Sequence, residues 1–195
     1  MSSRTVLSLW PLFLGLFLVG LASGVQGTLL GYRAAQEGFA AGLTGLVMSA
    51  YYAGFLVGSL WAPRLIDRVG HIRTFAAVSA IASITILVHA SVVDPWIWIG
   101  MRGVTGFAFS TIFVVTESWL NEAATNDSRG RILAVYMMLL LAGTAGGQWL
   151  LAVGDPSGFE LFVLVSVLVS VAAVPVLMTV LRTPVLEAGE RVSLG

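Results

Sequence analysis

Hydrophobic residues in this chain fall into six long runs, and polar or charged residues collect in the short stretches between them. The runs cover approximately residues 10–30, 43–62, 74–93, 96–116, 132–152 and 159–181. Each is close to the roughly 20 residues a helix needs to cross about 30 Å of hydrocarbon. Polar and apolar residues do not alternate within them, as they would over the roughly ten-residue strands of a membrane barrel. Only helices and closed barrels satisfy their own backbone groups in lipid. The pattern therefore predicts an all-α membrane protein with six transmembrane helices over residues 1–181. The polar stretch 182–195, with Pro184, Gly189 and several charges, reads as a cytoplasmic linker or tail. The joining segments are short, down to little more than Asp94-Pro95 between the third and fourth runs. Such joins predict that consecutive spans are antiparallel neighbours.

The first run follows Arg4 and imitates a secretion signal, with Ala22-Ser23-Gly24 as small residues for cleavage. Its length exceeds the roughly 7–15 residues of a signal's apolar region, and five more runs follow. A retained first span is expected.

Composition agrees with lipid as the solvent. Hydrophobic residues make up 57% of the chain and charged residues 10%, against about 25% charged in soluble domains. Mean hydropathy is +0.94. The net charge is zero, so nothing points to nucleic acid or another polyanion. The absence of Cys excludes disulfides, thiolate metal sites and a Cys nucleophile. His71 and His89 are too few and too far apart in sequence to suggest a metal site. No nucleotide loop or nucleophile constellation appears; the chain does not read as an enzyme, and no cofactor is implied.

Arginine carries all the strong positive charge, and its placement orients the bundle. With the N-terminus in the cytoplasm, Arg4, Arg64, Arg68, Arg73, Arg129, Arg131, Arg182 and Arg191 lie inside and only Arg33 lies outside. Both termini are thus expected in the cytoplasm. Arg102 is left within a span. Glycines at four-residue spacing, Gly20/Gly24, Gly27/Gly31, Gly54/Gly58 and Gly143/Gly147, read chiefly as close helix packing. Pro175 is expected to kink the sixth span.

Three segments carry candidate chemistry. The first is Pro63-Arg64-Leu65-Ile66-Asp67-Arg68-Val69-Gly70-His71-Ile72-Arg73, read as the loop between spans two and three. Its arginines serve orientation, but the cluster is richer than orientation requires. An acid at a helix start would meet unpaired N–H groups and the positive end of the dipole. Arg68 can pair with that acid, and Gly70 allows a sharp reversal. The second segment is Met101-Arg102-Gly103-Val104-Thr105-Gly106. It sets a charge roughly 9 Å inside the fourth run at 1.5 Å per residue, where it either snorkels or faces a water-filled cavity. The third is Val114-Val115-Thr116-Glu117-Ser118, followed by Arg129-Gly130-Arg131-Ile132-Leu133-Ala134-Val135-Tyr136-Met137-Met138 and Gly147-Gln148. Glu117 either pairs with Arg129 or Arg131 at the interface or acts as a gating carboxylate.

The first segment resembles the signature between spans two and three of the major facilitator superfamily (MFS): Leu65, Asp67, Arg68, Gly70 and Arg73 match, while Pro63 replaces a Gly and His71 and Ile72 replace basic positions. The second resembles the family's fourth-span signature, an Arg with a Gly four residues on. The third is similar to the YcaD-type branch of the MFS. The resemblance implies an N-terminal six-helix half built from two three-helix repeats, in a secondary transporter of a small solute in the inner membrane. Its mechanism would be alternating access, with proton coupling as an option. It implies a cytoplasmic gate of Leu65, Asp67, Arg68, Gly70 and Arg73, and intramembrane roles for Arg102, Gly106 and Glu117. Gln26, Tyr32, Arg33, Tyr51, Tyr52 and Gln148 are candidates for lining a cavity. It also implies a second six-span half as partner, in the same longer chain, in a split partner or in a homodimer. The competing reading is a membrane scaffold or sensor with the same bundle and no transport.

Overall fold

The computed structural model describes residues 9–178. They form six helices: α1 (Trp10–Gln36), α2 (Ala41–Val69), α3 (His71–Ser91), α4 (Pro95–Ala123), α5 (Arg129–Val153) and α6 (Glu160–Leu177). All six are long and apolar enough to cross a membrane. The linker expected at residues 182–195 lies outside the described residues, as do residues 179–181 of the last predicted span.

The helices outrun the hydrophobic runs that announce them. With 29 residues, α2 is roughly 43 Å long at 1.5 Å per residue, well beyond the hydrocarbon thickness. Hydropathy marks where lipid begins, whereas a helix ends only where its hydrogen bonding is interrupted. At the N-terminal end of α4 that interruption is Asp94, whose carboxylate accepts from the backbone N–H groups of Trp96 and Ile97, both at 2.9 Å, with Pro95 at the first helical position. Between α2 and α3 it is Gly70 alone, at φ +84°, a backbone conformation that side chains disfavour.

This turn corrects the reading of residues 63–73 as a loop. The helix passes through Pro63 and ends at Val69, so Asp67 stands in the last turn of α2 and not at a helix start. The dipole argument for that carboxylate is thereby reversed, since the C-terminal end of a helix disfavours an anion. Arg33 is likewise not in an outer loop; it lies in the last turn of α1.

The expectation that consecutive spans are neighbours also needs correction. Only α3 and α4 pack extensively among consecutive pairs; the other large interfaces are α2 with α4, α1 with α5, α1 with α6 and α3 with α6. Exchanging α1, α2 and α3 with α4, α5 and α6 maps this set of interfaces onto itself. The half-bundle is thus two three-helix repeats whose members interleave. Short loops fix neighbours only at the helix ends; along their lengths, helices in lipid associate where small residues let backbones meet.

The α1/α5 interface shows this. A Cβ on Gly20 would fall 3.1 Å from the Leu140 carbonyl oxygen, and one on Gly143 would fall 2.6 Å from that of Phe17. The repeat-related α2/α4 interface has the same character, with Gly54 and Gly58 of α2 against Gly103 and Phe107 of α4, and Gly106 of α4 against the Tyr51 and Phe55 backbone of α2. Gly27 departs from the packing expectation, because a Cβ there would meet nothing within 4 Å. Of the six helices, α2 and α5 are the least buried.

Candidate functional site

Between α1, α2 and α4 lies a cavity of about 180 Å³, lined by Ser23, Gln26, Gly27, Tyr51, Tyr52 and Arg102. Each helix delivers its residues for a local reason. Ser23, Gln26 and Gly27 stand at i, i+3 and i+4, one face of α1. On α4, Gly106 lets the α2 backbone approach at the Tyr51 carbonyl. That close approach sets the Tyr51 ring against Arg102, one turn earlier on α4, with the guanidinium carbon 4.4 Å from the ring centroid. Arg102 is 4% exposed and Gln26 3%. Arg102 Nε and Gln26 Nε2 are both buried without a hydrogen-bond partner, and among the described residues no carboxylate pairs with Arg102. The site is a buried cation with surplus donors and an aromatic wall.

Behind it, toward α3, His89 packs edge-on against Trp98 with ring centroids 5.5 Å apart. Its Nδ1 lies 2.6 Å from the Thr85 carbonyl oxygen, which fixes Nδ1 as the donor and leaves the buried Nε2 unpartnered. The hydroxyls of Thr85 and Thr105 meet at 2.9 Å, tying α3 to α4 at this level.

The cytoplasmic ends, in the orientation expected from the arginines, hold a second cavity of about 220 Å³ lined by Pro63, Ile66, Asp67, Val114, Ser118 and Glu122. Asp67 and Arg68 are exposed and make no ion pair among the described residues. His71 is the buried member of this region. Its Nε2 lies 3.2 Å from Ser118 Oγ and 3.6 Å from a Glu122 oxygen, and its ring packs against Trp119 at 5.8 Å. Ser118 in turn donates to Glu122 at 3.2 Å. This staple joins the first turn of α3 to the last turns of α4.

Comparison with known proteins settles what such a bundle belongs to. The family model described as Major Facilitator Superfamily matches residues 12–193. The chain belongs to the major facilitator superfamily. It is 35% identical over 178 residues to the uncharacterized MFS-type transporter YE1530 of Yersinia enterocolitica, which covers 90% of this chain and 45% of that protein. It is 36% identical over 170 residues to the uncharacterized MFS-type transporter YcaD of Salmonella arizonae, and equally to that of Salmonella newport, covering 86% of this chain and 44% of each. The chain thus spans less than half the length of these curated relatives. No solved structure matches it.

Within this MFS half-bundle the residues singled out from sequence divide into three groups. Gln26, Tyr51, Tyr52 and Arg102 share one cavity, with Gly106 shaping its wall. Tyr32, Arg33 and Gln148 do not join it. Arg33 pairs with Glu37 at 2.8 Å and donates to the Ser157 carbonyl; Tyr32 meets Gln36 at 3.2 Å. Both belong to a clasp between the end of α1 and the α5–α6 turn. Gln148 donates to the Gly24 carbonyl at 2.6 Å and staples α5 to α1. The third group, Leu65, Asp67, Arg68, Gly70 and Arg73, lies at or beside the α2–α3 turn. Glu117 is exposed, faces Tyr136 of α5, and pairs with neither Arg129 nor Arg131.

Sequence reasoning missed Ser23 and Gly27 as cavity residues, although their spacing with Gln26 was a usable signal. It also missed the His71–Ser118–Glu122 staple, whose partners lie 47 positions apart with no local mark. Truncating His71 to Ala removes a buried hydrogen bond and an aromatic contact. It should cost about 1–3 kcal/mol, while Arg73→Ala at an exposed position should stay within about 0.5 kcal/mol. Thermal unfolding in detergent, followed by Trp fluorescence, measures both.

Proposed function

We propose that the chain is the N-terminal half of a secondary transporter that moves a small solute across the inner membrane by alternating access. The observation that supports this most is the Arg102 cavity. A charge at membrane depth is costly and faces protein or a water-filled path, and here it lines a space between helices from both repeats. In an MFS transporter the substrate site lies near the midplane where two halves meet. The low burial of α2 and α5 supports a second six-span half as the covering partner, in the same longer chain, in a split partner or in a second copy. Asp67, Arg68 and Gly70, with Leu65 and Arg73 beside them, form the cytoplasmic gate in this reading. The exposed Asp67 is open to a partner across the midline. Coupling to protons would involve Arg102 and Glu117.

Access of the cavity to water from each side is the test. Cys is absent, so single substitutions report cleanly, and Gly27 has room for one. In cells expressing the protein, Gly27→Cys should react with an impermeant thiol reagent from outside. In inverted vesicles it should react from inside, because the bundle opens to each side in turn. Reaction from one side only, under every condition, would favour the scaffold or sensor. In the same cells Asp94→Cys should label from outside and Asp127→Cys only after inversion; the reverse pattern would overturn the cytoplasmic placement of both termini.

A further inference from the structure

The unmatched polar groups of the Arg102 cavity specify a ligand chemistry. Arginine stays protonated in proteins and only donates. Its charge is met by the Tyr51 ring face at 4.4 Å, while no carboxylate pairs with it among the described residues and its Nε has no partner. Gln26 of α1 lines the same cavity, and its Nε2 is a second buried donor without an acceptor. Buried donors are nearly always satisfied in folded proteins. Two on facing helices, both lining one space beside an uncompensated positive charge, lack the same thing: an acceptor carrying negative charge.

We propose that this cavity is an anion site and that the transported solute is a small carboxylate, held by Arg102 and Gln26. The proposal rests on the reading above that the cavity lies on the transport path, and it adds the substrate class. A carboxylate fits better than a cation, which Arg102 repels, and better than a neutral solute, which leaves the charge unmatched. The planar guanidinium matches a carboxylate edge through parallel hydrogen bonds, and with Tyr51 covering one face its N–H edge is the part left to bind. The space of about 180 Å³ corresponds to roughly six water volumes at about 30 Å³ each, so the part of the ligand held here is only a few heavy atoms beyond the carboxylate.

Gly27→Cys in isolated membranes, open to reagent from both sides, tests this without knowledge of the solute. Two methanethiosulfonate reagents of similar size are compared, one bearing a sulfonate and one a trimethylammonium group, each scaled to its rate with a free thiol. Local positive potential should favour the anionic reagent by about tenfold or more at low salt. Arg102→Gln in the same background should abolish the preference, and Arg102→Lys should keep it, showing that the fold survives change at this position. Propionate should slow labelling at concentrations where the isosteric propionamide does not. Labelling with no charge preference, a preference that persists in Arg102→Gln, or equal protection by propionamide would overturn the carboxylate assignment and leave the water-filled cavity standing. Complete inertness of the introduced thiol to both reagents would overturn the cavity reading as well.

Discussion

Replacing Arg102 by Met is expected to raise the thermal unfolding midpoint of the protein. A lone arginine within a membrane helix costs about 2.5–3.5 kcal/mol at the bilayer centre on insertion scales, and somewhat less off-centre. Against this, Arg102 has one visible compensation among the described residues, the face of Tyr51 at 4.4 Å, worth about 0.5–2 kcal/mol. It has neither an ion pair nor a partner for Nε. Met keeps the apolar stem, fills much of the volume and still packs on the ring. The balance favours the variant by about 1 kcal/mol, which corresponds to a few degrees in a chain of this size. The six Trp residues give the fluorescence signal for the melt. Combined with Gly27→Cys, the same substitution should erase the charge preference of the introduced thiol, and with it any transport that depends on the cation. Stability gained while the site's chemistry is lost is what a binding residue held against its own solvation cost should show. A midpoint several degrees below wild type would mean that Arg102 is satisfied by structure, and the cavity would then lose its claim to a ligand.

Arg102 was legible in the sequence for the same reason that it is costly: a charge inside an apolar run has no local excuse. The six spans were legible because lipid imposes one rule on every residue that touches it. The helix ends were not, since α2 continues past its apolar run through Pro63 and places Asp67 in a last turn instead of a first. Helix order was also hidden. Loop length spoke for consecutive neighbours, yet Gly20 against Gly143 and Gly106 against Tyr51 decide which helices meet. Glycine spacing is visible in one sequence; the identity of the facing helix is not. Hence Gln26, Tyr51 and Tyr52 could be named as candidates together with Tyr32, Arg33 and Gln148, but only the fold separates the first three from the rest.

Two alanine substitutions one turn apart on α4 should move stability in opposite directions, and the second should disturb the site. Alanine is better than glycine inside a helix by about 0.8–1 kcal/mol. At Gly103 the added methyl finds only the Ala50 carbonyl oxygen at 3.8 Å, an ordinary contact. Gly103→Ala should therefore be neutral or stabilising by up to about 1 kcal/mol. At Gly106 the methyl overlaps the Tyr51 carbonyl oxygen and lies 2.9 Å from the Phe55 nitrogen. Both are backbone atoms of α2 with no rotamer to yield, so the helices must part. Overpacking of this kind costs about 1–3 kcal/mol, enough to outweigh the helix-propensity gain, and Gly106→Val should largely prevent folding. Moving α2 also lifts the Tyr51 ring from Arg102, which removes the cation's one compensation. Gly106→Ala should thus lower the unfolding midpoint, and Arg102→Met introduced beside it should recover more stability than the same change does in wild type. If Gly106→Ala melts with Gly103→Ala, the α2–α4 spacing is not set by this glycine, and some other contact must hold Tyr51 against the charge.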